Sequence, residues 1–450
     1  MRTWLTAYTD LHAMVTASKH GILQRALANA GKLLGGKTAA GIMQLATFAL
    51  AARGLGKVEF GVFSVVTAQA MVFTGLATFE SNQAIIRYGV PHLEHGDNRA
   101  IQALFKAGTI LDIGAAIIAA VAIVLTAPLL GHWLGWTDDL VGFAQAMAPL
   151  PLANAIGTPK GMLRLFGRFD LLSVHVVVTP LVRLALIGVL ALFGMSLGWY
   201  VGAWVVAGIA GAAVAVFLAW REANRRSLLA LMDKRMRGLS VNNPGLWRFS
   251  LFSNLNSSLA LIPGQLATVL VAGILGESAA GLFRVAREIG TGLLKPVDLV
   301  NQAIYPDMAR LIASENWREL RQTAIRAGGL AGFVGAGLTL VAWMAGPGLI
   351  ALTFGPEFKA ATPVLIAIAG ATSLRVLAFA ADPIMYALGR PDTPFAITAF
   401  TSLLFVGILV WRLRIDGLAG AGWAFLGMSA VAAVLSTIAA RRAVLIRSEI

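Results

Sequence analysis

The 450 residues include no cysteine, so a disulfide framework is excluded, and so is any Cys/His metal cluster. Charge is scarce as well. Asp, Glu, Lys and Arg make up 13% of the chain, about half the roughly 25% of an average soluble domain. So little charge cannot wet the surface of a large soluble enzyme. Disorder needs low hydrophobicity and high charge, and is excluded with it. There is no GxxxxGK(S/T) phosphate loop and no HExxH motif, hence no built-in ATP engine and no recognisable metal site. No cofactor and no catalytic residue is expected. What is plentiful is apolar: 58% hydrophobic residues, 48 glycines and a mean hydropathy of +0.76. High glycine with high hydropathy is the composition of transmembrane helices.

Crossing ~30 Å of hydrocarbon takes about 20 apolar residues. Twelve such runs are present, at 33–52, 59–82, 104–130, 140–159, 171–193, 197–220, 249–274, 279–303, 324–351, 360–386, 394–412 and 418–440. They do not alternate as barrel strands do. The reading is an all-α integral membrane protein of about twelve helices. Residues 1–30 have no signal-peptide core and read as a cytoplasmic or interfacial segment. Lys and Arg crowd one side of this topology. The opposite side holds only Arg53, Lys57, Lys359, Arg412 and Arg414, which places both termini in the cytoplasm. The net charge of +14 follows from that bias and from attraction to anionic membrane lipid; nucleic acid is not an expected partner.

The chain also repeats itself. Residues 54–65 match 274–285 at Leu55/Leu275, Gly56/Gly276, Gly61/Gly281, Phe63/Phe283 and Val65/Val285. Asn82-Gln83-Ala84-Ile85 returns as Asn301-Gln302-Ala303-Ile304, and Gly167-Arg168 returns as Gly389-Arg390. All lie about 220 residues apart in the same order. The units are 31–220 and 247–441, joined by a basic cytoplasmic linker, 221–246, and followed by a tail, 442–450. Six crossings return the chain to the same side, so the repeats are parallel, with a site expected between them near mid-membrane. That is a transporter plan.

Charges inside a bilayer are expensive, and each is a functional candidate. Arg183 and Arg375 sit near the centres of the fifth and tenth spans, where their repeat partners are Leu403 and Ala155. The eighth span carries Arg284, Arg287, Glu288, Thr291, Lys295, Asp298 and Gln302 on one stripe roughly 100° wide at ~100° per residue. Asp382 shares a face with Arg375, and Asn254 and Gln265 align on the seventh span beside Pro263. These residues describe a polar cavity walled by both halves. Arg183, Arg284, Arg287, Lys295 and Arg375 are its candidate substrate-binding cations. Glu80, Asp112, Glu288, Asp298, Asp382, Asn254 and Gln265 are candidates for coupling or lining it. Arg284 is also close enough to its span end for snorkelling, and Arg287–Glu288 and Lys295–Asp298 read equally well as local charge pairs.

The stretch from Ala52 to Phe63 (ARGLGKVEFGVF), ending in Ala84-Ile85-Ile86-Arg87-Tyr88, resembles the opening of bacterial polysaccharide-biosynthesis flippases. These form the O-antigen-type branch of the multidrug/oligosaccharidyl-lipid/polysaccharide exporter superfamily. The echo at 272–285, the turn Leu388-Gly389-Arg390-Pro391-Asp392 and the entry 417–422 are similar to that family too, so the likeness runs over 31–441. It implies a V-shaped bundle in the bacterial inner membrane that moves an undecaprenyl-diphosphate-linked oligosaccharide to the periplasmic leaflet by alternating access around a cationic cavity. It also implies polymerase and glycosyltransferase machinery as partners and a proton or sodium ion for coupling. The peptidoglycan-precursor branch has two further helices, absent here. The multidrug branch often has a first-span carboxylate, whereas this first span has only Lys37 and Gln44. A drug or cation antiporter of the same fold is the alternative. A membrane-embedded glycan polymerase or ligase is a more distant one, since it needs a large outer loop.

Overall fold

The computed structural model describes the backbone of residues 2–78, 80–228, 243–259, 261–292, 311–312, 314, 316–378, 380–388, 390 and 392–448, and most side chains from residue 35 onward. Every regular element among them is a helix. Ten helical stretches are long and apolar enough to cross a membrane. The first of these, Gly35–Glu94, has 60 residues, about 90 Å of helix at 1.5 Å per residue against ~30 Å of hydrocarbon. Its backbone leaves the helical region at Gly56, so it holds two crossings. One more helix, 277–292, leads away from Gly276 to the edge of the described residues. Among the described residues this gives eleven helices of crossing length, and 277–292 starts a further one in the place where hydropathy predicts the eighth span.

The duplication is written in the backbone. Gly56 (φ 71°, ψ 178°) and Gly276 (φ 85°, ψ 172°) adopt the same conformation, in a region that only glycine occupies without strain. Each turns the chain back between consecutive crossings. The helices Asn98–Leu134 and Trp317–Thr353 are both 37 residues long. Asp97 caps the first by accepting from the Ala100 N–H, and Asn316 caps the second by accepting from the Glu319 N–H. They carry Pro128 and Pro347 at the same depth and are followed by Gly135 and Gly355, both at positive φ.

Two expected spans are not single helices. The fourth is broken into Asp138–Ala146, Leu150–Asn154 and Gly157–Leu165, where Pro149, Pro151 and Pro159 each remove a backbone donor. The tenth divides into a 3-10 turn, Pro356–Ala361, then Thr362–Leu377 and Ala381–Ala387. Pro383 falls in the first turn of the last piece, where its missing N–H costs nothing. The seventh crossing bends through a π-helical turn, Ile262–Leu266, between Leu246–Leu259 and Ala267–Leu275. Pro263 cannot donate to the ladder, and the widened turn absorbs the mismatch.

At the end bearing Gly56 and Gly276, the glycine end, the halves share one hydrophobic core that draws on Phe60, Phe63, Trp204, Phe283, Phe358 and Phe405 alike. A Cβ on Gly61 would lie 2.1 Å from the Glu277 carbonyl oxygen, and one on Gly281 would lie 3.2 Å from the Gly61 Cα. Backbone therefore touches backbone across the halves. Arg53 donates to the carbonyls of Leu352 and Thr353, satisfying the last turn of a helix from the other half. At the opposite end, beside the linker, the core divides. One cluster, around Ile85, Ile101 and Leu104, belongs to the first half together with Leu246, and another, around Leu320, Val376 and Met385, to the second.

Candidate functional site

Arg183, Arg284, Arg287, Glu288 and Gln265 come together between the halves. At 1.5 Å per residue, Phe48, Arg183, Trp204, Gln265 and Arg284 all lie about 10–17 Å from the glycine end, close to the middle of ~30 Å of hydrocarbon. The Arg183 guanidinium stacks on Trp204, 3.5 Å from the ring centroid. Trp204 packs on Phe48 at 5.3 Å, and Phe48 in turn carries the Arg284 guanidinium at 4.3 Å. The result is a cation–aromatic–aromatic–cation stack that begins in one half and ends in the other. Ring quadrupoles stabilise both cations where water is excluded. Arg183 is 7% exposed and Arg284 1%, so Arg284 does not snorkel.

The hydrogen bonding around these guanidinium groups is incomplete. Arg284 donates to Gln265 Oε1 at 3.1 Å and stands 2.9 Å from Glu288, at ion-pair distance but out of hydrogen-bond alignment for its Nε. Arg287 reaches the same carboxylate at 3.2 Å. Arg183 donates to Gln44 at 3.3 Å. Arg183 Nε and Arg287 Nη1 are buried with no acceptor among the described residues. Buried donors are normally paired, and exceptions call for a reason. Gly264, in the π turn, makes room for Arg287: a Cβ there would lie 3.0 Å from Nη1.

The other candidates lie elsewhere. Glu80 sits at φ 46°, at the break between the second crossing and the helix Ser81–Glu94. It accepts from Ser257 and Asn82, both at 2.9 Å. Asp112 accepts from Ser81 and, at 2.7 Å, from the Thr158 N–H, tying three elements of the first half. Asn254 donates to the Leu76 and Thr78 carbonyls, which the helix break leaves without an intrahelical partner. It is a tie between the halves rather than an open lining group. Asn254→Leu is accordingly expected to lower stability by about 1–3 kcal/mol, the cost of buried carbonyls left unpaired, and a thermal-melt comparison in detergent checks this. Arg375, in the last turn of Thr362–Leu377, and Asp382 are both exposed, on either side of the helix break and outside the stack. Lys295 and Asp298 lie outside the described residues. Phe48 and Trp204, which hold the arginines, were not singled out from the sequence; a tryptophan in mid-span was the available signal.

Solved structures share this fold. An inward-facing multidrug resistance MATE family transporter of the MOP superfamily superposes with a TM-score of 0.67 at 17% identity, covering 93% of this chain and 95% of that one. A mutant form of the Vibrio cholerae MATE transporter VcmN gives 0.66 at 15% identity, covering 96% and 98%. The fold is that of the MATE transporters of the MOP superfamily, and the protein is a multi-pass membrane protein. The family model for polysaccharide biosynthesis proteins matches residues 26–312, and the chain belongs to that family. It is also 27% identical over 338 residues to the inner membrane protein YghQ of Escherichia coli strain K12, covering 75% of this chain and 95% of that protein.

Proposed function

We propose that this protein carries an undecaprenyl-diphosphate-linked oligosaccharide from the cytoplasmic to the periplasmic leaflet of a bacterial inner membrane, by alternating access between its halves. The observation that carries the reading is the arginine stack. Arg183, Arg284 and Arg287 are all buried, Glu288 pairs with the last two, and two of the three groups' donors lack acceptors among the described residues. A diphosphate offers anionic oxygens that fit planar guanidinium forks, and a lipid tail stays in the bilayer while the headgroup passes between the halves. Family membership and fold support the same reading. A cation antiporter calls for a carboxylate-dominated site, and Gln44 in the first crossing is here a partner of Arg183. Glu80, Asp298 and Asp382 are the residues to examine for proton or sodium coupling, with both termini cytoplasmic and polymerase and glycosyltransferase machinery as partners.

The test is deletion in the native host, with surface glycan and lipid-linked intermediate quantified in each leaflet. The expected result is loss of surface glycan, with intermediate held on the cytoplasmic side until wild type is restored. Unchanged glycan with raised sensitivity to cationic compounds would transfer the protein to the antiporters.

A further inference from the structure

A second site lies wholly within the second half, at the linker end. A cavity of about 730 Å³ opens between the start of Trp317–Thr353, the break after Leu377 and the last turns of Ala419–Ser448. That volume is in the range of small-ligand pockets, roughly 300–1,000 Å³. Arg318, Arg321 and Arg441 line it, with Leu377, Gly329 and Ala440 among its apolar walls, and none of its described lining residues is acidic. None of the three arginines is in an ion pair among the described residues. Basic residues near the ends of crossings serve topology in any membrane protein, but topology requires no cavity between them.

The first half supplies an internal control. Aligning the two capped 37-residue helices by Asp97 and Asn316 pairs Gln102 with Arg321 and Phe105 with Ala324. In the first half Phe105 is buried, edge-on to Phe166 at 6.0 Å. Glu222 there neutralises Arg168 and Arg226, at 2.5 and 3.1 Å. Aligning the final helices by Leu197 and Ala419 puts Val444 where Glu222 stands and Arg441 where Ala219 stands. At each of these positions the second half has lost bulk or negative charge, or gained positive charge.

We infer that this cavity is a binding site for an anionic phospholipid, its phosphate held by Arg318, Arg321 and Arg441 and an acyl chain laid against Leu377, Gly329 and Ala440. Anionic headgroups are the partners that basic pockets between crossings recognise, and the apolar walls beside the three arginines fit an acyl chain. The site is separate from the arginine stack and does not depend on what the stack carries.

The experiment gives the second half the first half's residues. Wild type, the double variant Arg321→Gln with Ala324→Phe, and a charge-matched control, Arg99→Gln, are purified as full chains. Each is placed in phosphatidylcholine nanodiscs with a rising share of phosphatidylglycerol, and in parallel in phosphatidylcholine with inorganic phosphate. Thermal midpoint and lipid retained in native mass spectra are followed. Wild type and control are expected to retain phosphatidylglycerol and to be stabilised by it, and the double variant to need on the order of tenfold more. Equal lipid dependence in wild type and double variant overturns the site. So does an equal loss in the control, which would mean general surface charge, and so does full stabilisation by inorganic phosphate alone. A double variant that fails to fold is replaced by Arg321→Gln with Arg441→Gln, set against a control that also loses two charges, Arg99→Gln with Arg221→Gln, and the same outcomes apply.

Discussion

Arg284→Ala is expected to abolish surface-glycan export, a drop of at least about tenfold at matched membrane level if as little as ~1.4 kcal/mol of substrate interaction is lost. The guanidinium has three neighbours that lose their partner together: the Phe48 ring, Gln265 Oε1 and Glu288. Breaking a buried ion pair from one side costs about 3–5 kcal/mol, so Arg284→Ala also lowers stability. Two further variants separate the effects. Arg284→Met keeps a flexible side chain on Phe48, with a favourable sulfur–aromatic contact, and is expected to fold yet not transport. Arg284→Lys keeps the charge but loses the planar fork and the stacking, and is expected to recover only a small part of the activity. Glycan export by Arg284→Met equal to wild type, at equal membrane level, would remove the charge from the mechanism.

Gly61→Val is expected to pry the halves apart at the glycine end. The added Cβ meets the Glu277 carbonyl oxygen at 2.1 Å, and backbone cannot swing aside as a flexible side chain does. Overpacking of this kind costs about 1–3 kcal/mol where the surroundings relax; here relaxation means separating two helices. The lack of native cysteine makes the separation measurable. Phe60 and Phe358 lie edge to face across the halves with ring centroids 5.6 Å apart. Thiols at these positions stand back from the centroids by about a ring's length, so Phe60→Cys with Phe358→Cys is expected to be joined by a bifunctional thiol reagent of ~10 Å reach rather than by a disulfide. Adding Gly61→Val to that pair is expected to suppress the cross-link and, at matched level, transport. Cross-linking at the parent rate would show that the seam tolerates a side chain.

The apolar crossings and the duplication are legible in the sequence because both rest on features that survive in one dimension. Apolar length gives a crossing, and a glycine at one offset gives the same turn twice. The breaks in the fourth and tenth spans are not legible in the same way. A helix broken at Ala155 or Ala378 is as apolar as an unbroken one, so hydropathy passes over the break. The stripe on the eighth span placed Arg284, Arg287 and Glu288 together, since helical periodicity is local. It could not supply Phe48, which lies more than 200 residues away and meets Arg284 only once the halves pack. Nor could it separate Asn254, aligned with Gln265 on paper, from the site. The bend around Pro263 turns the two residues to different tasks, one tying a broken helix and the other receiving Arg284.

The contact at Gly61 has a further meaning. Residues 57 and 61 meet 277 and 281 of their own duplicate, which is how a two-fold homodimer touches itself: the same patch on both sides, each residue answered by its counterpart. The seam is thus a subunit interface carried inside one chain, the one a six-helix ancestor would have used to pair with its own copy. Fusion freed the two sides from having to change together. Arg183 opposite Leu403, and Ala324 opposite Phe105, are differences that a symmetric dimer could not have held, because there every substitution is made twice.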